Sequence, residues 1–350
     1  MIDLLIGISF SFVLTIISLP ILIKIASINK LYVPKGYRHI HKNNISALGG
    51  IAIFTSSTLA FIFFSDIVNY PEYKYILSSA ILMFIIGVRD DLYDIKPGIK
   101  LIGQLIAVVL LVVFAGVKIE FLVHFIDGKL GSILDMLLTI LIMTTVINAY
   151  NFIDGVDMLA ASIGFVILGS LGLYFFILNQ TNYSLALLSI AFSLLAFMYF
   201  NYSPAKIFMG DTGTLTIALI MSISLIKLEE ISNVVDSQYV IQNAPAISFA
   251  LISLISFDLI KVTIQRIYKG VSIFKADTTH IHHLLLDIGL KHNQIAAIMS
   301  SFIVLQLIIS LIADRNNFNI IIIIAINTIL IITLYTIICY IWKRKTTFNK

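Results

Sequence analysis

Apolar residues in this chain come in long continuous runs separated by short polar punctuation. Eleven such runs stand out, at about 3–27, 47–64, 75–89, 99–117, 132–150, 158–178, 184–201, 213–228, 245–267, 294–313 and 318–342. A transmembrane helix needs roughly 20 mostly apolar residues, whereas a membrane β-barrel needs short alternating strands. The pattern therefore predicts an all-α, polytopic membrane protein with about 11 transmembrane helices. The runs at 75–89 and 213–228 are short, and would span by tilting or by extending into their polar ends. The longest polar stretches, 28–48, 228–244 and 268–293, are too short for a soluble domain, and no short repeat is visible. Residues 1–350 read as one integral-membrane domain.

Charge sets the expected orientation. The first run has no basic residue ahead of it, and Lys24 follows it, the reverse of a secretory signal. It is read as a retained span with the N-terminus outside, and eleven spans then leave the C-terminus in the cytoplasm. Lys24 to Lys42, Arg89 to Lys100, Lys206, Lys261 to Lys291 and Lys343 to Lys350 all fall inside, 18 of the 23 lysines and arginines. Only Lys74, Lys118, Lys129, Lys227 and Arg315 fall outside, which satisfies the positive-inside rule.

Composition narrows the classes further. The chain is 59% hydrophobic and 12% charged, with mean hydropathy +1.01; soluble domains run near 45–50% apolar and about 25% charged. This excludes both a disordered chain and a soluble globule. The net charge of +4 is small and gathered on one membrane face, so it does not argue for nucleic acid. The single cysteine, Cys339, allows neither an internal disulfide nor a cysteine metal cluster.

Ionisable residues in a membrane protein are costly and point to function. Under the predicted topology Asp90, Asp91, Asp94, Asp154, Asp157, Asp211 and Asp277 share the cytoplasmic ends of the spans with His39, His41, His280, His282, His283 and His292. Simple capping of helix ends would place similar clusters on both faces. The outer face has Glu229, Glu230, Asp236 and His124, without comparable motifs.

Four motifs carry the chemistry. In Gly87-Val-Arg-Asp-Asp-Leu-Tyr-Asp94 a continuous helix would put Asp90 and Asp94 on one face with Asp91 about 100° away. Such crowded carboxylates need a divalent cation, a lysine or a shared proton, and Arg89, Lys96 and Lys100 are at hand. In Asn148-Ala-Tyr-Asn-Phe-Ile-Asp-Gly-Val-Asp157 the polar residues recur every three positions, a stripe that drifts round a helix. Asn148, Asn151, Asp154 and Asp157 can meet one ligand only if the helix ends, with Gly155 as the expected break and Asp157 as a cap for the next span. In Asn201-Tyr-Ser-Pro-Ala-Lys-Ile-Phe-Met-Gly-Asp-Thr-Gly213, glycines bracket Asp211 ahead of a span. That loop could offer N–H groups to phosphate, Asp211 could hold Mg²⁺, and Phe208 could stack on a base. In Asp277-Thr-Thr-His-Ile-His-His283 the histidine triplet suits a metal or phosphate.

In this order and on one face, the four motifs resemble the polyprenyl-phosphate N-acetylhexosamine-1-phosphate transferases, glycosyltransferase family 4. That family includes the enzymes that start teichoic acid, O-antigen lipopolysaccharide or enterobacterial common antigen, and the phospho-MurNAc-pentapeptide transferase of peptidoglycan synthesis. The resemblance implies ten or eleven helices in the bacterial inner membrane and a site open to the cytoplasm. It implies that Asp90 and Asp91 are the catalytic acidic pair, with Asp94 beside them, and that Lys100 lies near the pyrophosphate. Asn148, Asn151, Asp154, Gly155 and Asp157 match the motif near the UDP-sugar and metal, and Phe208 the aromatic that stacks on uracil. Asp211, with Asn151, matches the Mg²⁺ site, which Mn²⁺ could also fill. His280, His282 and His283 match the HxHH signature of the GlcNAc branch. Arg38, His41 and Gly49-Gly50 match the first cytoplasmic loop. Three positions depart from the family pattern: Met158 stands for glycine, Thr278 for a basic residue and His39 for lysine.

The implied partners are undecaprenyl phosphate, a UDP-N-acetylhexosamine and the bilayer, with a homodimer left open. The implied reaction moves GlcNAc-1-phosphate onto the lipid phosphate and releases UMP. The competing readings are the MurNAc-pentapeptide transferase, a branch using another UDP-sugar, and a proton-coupled secondary transporter. A transporter would place its site near the midplane between repeated halves.

Overall fold

The computed structural model describes residues 1–32, 45–67, 70–126, 128–272 and 279–348. Arg38, His39, His41, Asp277 and Thr278 lie outside the described residues. The described chain is helical, with no strand. Its helices are α1 (Ile2–Asn29), α2 (Gly49–Phe64), α3 (Glu72–Leu92), α4 (Pro97–Phe114), α5 (Lys129–Ile153), α6 (Leu159–Ile177), α7 (Thr181–Asn201), α8 (Gly210–Val234), α9 (Ala244–Tyr268), the short α10 (Ile281–Asp287), α11 (His292–Arg315) and α12 (Ile320–Phe348). A 3₁₀ turn, Leu122–His124, precedes α5.

Each predicted apolar run lies in one of the eleven longer helices. The two short runs are the cores of α3 and α8, which continue through their polar ends to 21 and 25 residues. Eight helices are long and apolar enough to cross a membrane: α1, α4, α5, α6, α7, α9, α11 and α12. The chain is thus a multi-span membrane protein. In lipid no water satisfies the backbone, so continuous helix is the state these runs must adopt.

Packing has a clear centre. Helix α8 touches α2, α3, α5, α6, α7 and α9. The most apolar stretch of α7 is 67% buried, whereas that of α12 is 22% buried and presents its remaining surface outward. Lipid is as apolar as leucine, so helix association here depends on close packing and interhelical hydrogen bonds. Both are visible. Ser11 and Thr15 on α1 meet Ser193 on α7 at 2.5 and 3.0 Å, and Gln306 on α11 bonds Ser253 on α9 and Asn327 on α12.

The closest approach lies around the start of α8. A β-carbon on Gly50 of α2 would fall 2.1 Å from the Gly213 nitrogen, and one on Gly87 of α3 would fall 2.4 Å from the Thr212 α-carbon. Only glycine lets three backbones meet there. Three backbone hydrogen bonds complete the join, with Phe208 N–H donating to Ser46 O, Gly49 N–H to Phe208 O, and Gly50 N–H to Met209 O (2.8–2.9 Å).

Candidate active site

The acidic pair separates into two roles. Asp91 turns toward α8 and accepts three hydrogen bonds: from the N–H of Asp211 (2.7 Å), the N–H of Thr212 (2.9 Å) and the Thr212 hydroxyl (2.5 Å). Its carboxyl group sits at a helix N-terminus, where unpaired N–H groups and the helix dipole offset the cost of burying it. The phosphate expected against these amides finds those of Asp211 and Thr212 already engaged by a carboxylate of the same chain.

Asp90 faces the other way. Its Oδ1 accepts the N–H of Ile95 at 2.7 Å, and its Oδ2 is 3.1 Å from Lys100 Nζ on α4. Lys100 also contacts Asp211 Oδ2. The other oxygen of Asp211 accepts from Asn151 Nδ2 (2.9 Å), which also donates to Thr214 Oγ1 (2.7 Å). Four helices therefore contribute one residue each to a compact polar cluster: Asp90 from α3, Lys100 from α4, Asn151 from α5 and Asp211 from α8.

Asp94 does not share the helical face expected for it. Helix α3 ends at Leu92 and Tyr93 is extended (φ −151°). Arg89 donates to the Tyr93 carbonyl at 2.8 Å, and Asp90 takes the Ile95 N–H, so the chain bends away and Asp94 is exposed.

The 148–157 motif ends its helix as expected, two residues before the glycine. Helix α5 stops at Ile153, with Asp154 flanking it. Gly155 is needed for space: a β-carbon there would lie 2.7 Å from His282 Nε2. Asn148 reaches away to Gln104 Oε1 on α4 (2.9 Å). Asp157 does not cap α6; its buried carboxylate sits 3.1 Å from His292 Nδ1. Asn201 then ties this turn to the 203–209 loop, accepting from Met158 N–H (2.6 Å) and donating to Ile207 O (2.8 Å).

Met158 has φ +66°, the left-handed region. This gives a physical reason for the glycine in the family pattern, because an L-residue there costs roughly 1–2 kcal/mol. Met158→Val, β-branched and stiffer, is expected to lower stability by about 1–2 kcal/mol. Met158→Gly should fold and turn over normally. Thermal denaturation of the two purified variants checks the ordering.

Phe208 packs with Ile45, Ala47 and Ala205 and retains 8% of its exposure. The histidines form a ring stack. Phe152 lies against His280 (centroids 5.8 Å apart, 18° between planes), His280 against His282 (5.6 Å, 10°), and His282 against His283 (4.3 Å, 42°). His280 and His282 are buried, and His282 approaches Gly155, so the fourth motif meets the second.

Among the described residues no three His, Cys, Asp or Glu side chains gather as a metal cluster. The cluster at Lys100 has a different character: two carboxylates meet one ammonium, which holds the place a cation takes, and the Asn151 amide bonds the second oxygen of Asp211. Mg²⁺ usually takes only one or two protein carboxylates, filling its shell with phosphate oxygens and water, so this donor set fits it.

Sequence reading passed over Asp258, Tyr335, Gln104 and Thr214, and gave Asn201 and Thr212 no role of their own within their motif. Asp258 did carry a signal, as the one acidic residue inside the apolar run 245–267. The others are ordinary polar residues whose side chains, the Asn201–Ile207 bond apart, find partners 43 or more positions away.

Comparison with known proteins identifies similar chains. The sequence profile described as Glycosyl transferase family 4 matches residues 73–229, which hold three of the four motifs. A Bacillus subtilis (strain 168) protein described as a probable undecaprenyl-phosphate N-acetylglucosaminyl 1-phosphate transferase is 32% identical over 260 residues, 73% of this chain and 70% of that protein. Proteins described as undecaprenyl-phosphate alpha-N-acetylglucosaminyl 1-phosphate transferases are similar over more of the chain. The one from Yersinia pestis is 25% identical over 319 residues (88% of this chain, 83% of its own), and that of Escherichia coli (strain K12) 25% over 291 (81% and 76%).

Proposed function

This chain belongs to glycosyl transferase family 4, and on that footing we propose that it moves GlcNAc-1-phosphate from UDP-GlcNAc to undecaprenyl phosphate. The reaction runs at the cytoplasmic face of a bacterial inner membrane and starts a cell-envelope polysaccharide. The observation that carries this reading is the meeting of Asp90, Lys100, Asn151 and Asp211 from four helices at one point. The orientation with eleven spans rests on the distribution of lysine and arginine.

An oxygen of the lipid phosphate attacks the sugar-proximal phosphorus of the UDP-sugar. The new P–O bond forms as the bond from that phosphorus to the bridging oxygen breaks. The bridging oxygen leaves with its electron pair on UMP, and a lipid diphosphosugar remains. The second pKa of a phosphate is about 6, so the nucleophile is largely dianionic at pH 7. Positioning and charge therefore matter more than proton abstraction.

The chain's residues divide that work. Lys100 offsets the charge of Asp90 and Asp211 and lets an anion approach them. Asn151 fixes the orientation of the Asp211 carboxylate, and Asp91 fixes the helix start that carries it. His280, His282 and His283 supply imidazole donors beside the 148–157 turn, and uracil is placed against Phe208. Asp211, with Asp90 and Asn151, would hold Mg²⁺, which when bound supplies positive charge to the pyrophosphate and to departing UMP.

The test is UMP release by the purified full-length chain with undecaprenyl phosphate and a panel of UDP-sugars. Release with UDP-GlcNAc at about ten times the rate for UDP-MurNAc-pentapeptide is expected. The reverse preference would reassign the substrate, and absence of release with every sugar would overturn the reading.

A further inference from the structure

Asp258 is a buried carboxylate in the middle of α9, and the roles above leave it unused. Its Oδ2 lies 2.8 Å from His280 Nδ1. Its Oδ1 accepts the Ile281 N–H at 2.9 Å and the Tyr335 hydroxyl of α12 at 3.0 Å. Lys261, one turn along α9, donates to the same Tyr335 oxygen (2.9 Å) and to the Thr279 carbonyl (3.1 Å). Both Asp258 and His280 are 4% exposed.

The location makes this more than a helix anchor. Two other buried aspartates in this protein bind neighbouring N–H groups: Asp135 takes those of Phe121, Leu122 and Val123, and Asp314 those of Gln242 and Asn243. Neither contacts a ring among the described residues, although the buried Asp157 also faces one, His292 Nδ1, at 3.1 Å. Asp258 instead divides its two oxygens, one holding the chain and the second holding an imidazole. A carboxylate on Nδ1 fixes which ring nitrogen carries a proton and which way the ring faces. His280 in turn lies between Phe152, next to Asn151, and His282, next to Gly155. The ring so fixed belongs to the stack that borders the candidate site.

We propose that Asp258 is a positioning residue for the transfer reaction: it orients His280 and accepts its Nδ1–H, so that the ring, carrying a second proton, donates Nε2–H to a phosphate of the substrate, with Tyr335 holding the carboxylate in place. This rests on the transferase reading above. Tyr335 has a lesser part, because Asp258 keeps two other donors without it.

The experiment is a double-mutant cycle on the full-length chain, read as UMP release from UDP-GlcNAc and undecaprenyl phosphate. Asp258→Asn keeps the size of the side chain and an acceptor for Ile281. Its NH₂ faces Nδ1 and reverses that hydrogen bond, so the ring gives up its Nδ1 proton and with it the positive charge offered to the phosphate. A fall in kcat of about 100-fold is expected, with KM for the UDP-sugar changing less than threefold. His280→Ala should lose at least as much. The double variant should lie within about threefold of His280→Ala alone, because residues acting as a unit are not additive. Losses that multiply would show that Asp258 acts on the fold independently of His280 and would overturn the proposal, as would near-normal kcat in Asp258→Asn. If that variant does not fold, Tyr335→Phe replaces it. A loss of about threefold that vanishes in the His280→Ala background supports the dyad, and an equal loss in both backgrounds overturns it. Wild-type chain that releases no UMP with any UDP-sugar overturns the transferase reading and this role with it; an active wild type with multiplying losses overturns the dyad alone.

Discussion

Asp211→Asn is expected to lower kcat for UMP release by about 1,000-fold while the protein still inserts, purifies and melts near the wild-type temperature. The reasoning separates the side chain from the backbone. The N–H of Asp211 is held by Asp91, and asparagine keeps that bond and the start of α8. What changes is the carboxylate, whose two oxygens meet Lys100 and Asn151. An amide has one acceptor and no charge, so one end of it would face a donor, and the cation site loses one of its two anions. Charge-stabilising groups in acyl- and phosphoryl-transfer sites are worth about 10²–10⁵ in rate. A purified variant with near-normal turnover would remove Asp211 from the chemistry.

Gly50→Ala is expected to damage fold and activity together. Its new methyl would sit 2.1 Å from the Gly213 nitrogen and 2.5 Å from its α-carbon, with backbone on both sides and no flexible side chain to yield. Overpacking of this kind costs about 1–3 kcal/mol or more. Relief requires α2 and α8 to part, and α8 carries Asp211 on its first turn. Thermal denaturation should show the loss of stability, and UMP release should fall more than tenfold. Gly98, whose β-carbon position is open, is the control that should accept alanine without change. Wild-type behaviour of Gly50→Ala would mean that the close packing of α2 on α8 does not position the site.

The membrane fold was legible because hydropathy acts on long runs: eleven apolar stretches became eleven helices. Helix ends were harder, since they depend on distant partners. Asp90 and Asp94 share a face only if α3 continues, and the bond from Ile95 N–H to Asp90 together with the extended Tyr93 stops it. The two carboxylates of the acidic pair are adjacent in sequence and equivalent in composition. Only the position of α8 sends Asp91 to its amides and Asp90 to Lys100. Asp90, Lys100, Asn151 and Asp211 were all named from their motifs, and the fold brings them to one point, but the supporting residues Gln104 and Thr214 have no local signature. Charge is cheap at span ends and costly in the interior of a span, where Asp258 lies, so its position says more than its residue type. Even there burial does not decide function, since Asp135 and Asp314 are equally buried and bind only main chain and an asparagine amide.

The most direct measurement follows the phosphorus. UDP-GlcNAc labelled at its sugar-proximal phosphate is incubated with the purified chain, undecaprenyl phosphate and Mg²⁺, and the lipid and nucleotide fractions are separated. Transfer of a sugar-1-phosphate puts the label in the lipid and releases one unlabelled UMP for each lipid product, and this is the expected result. Label leaving in UDP, with only the sugar on the lipid, would contradict it.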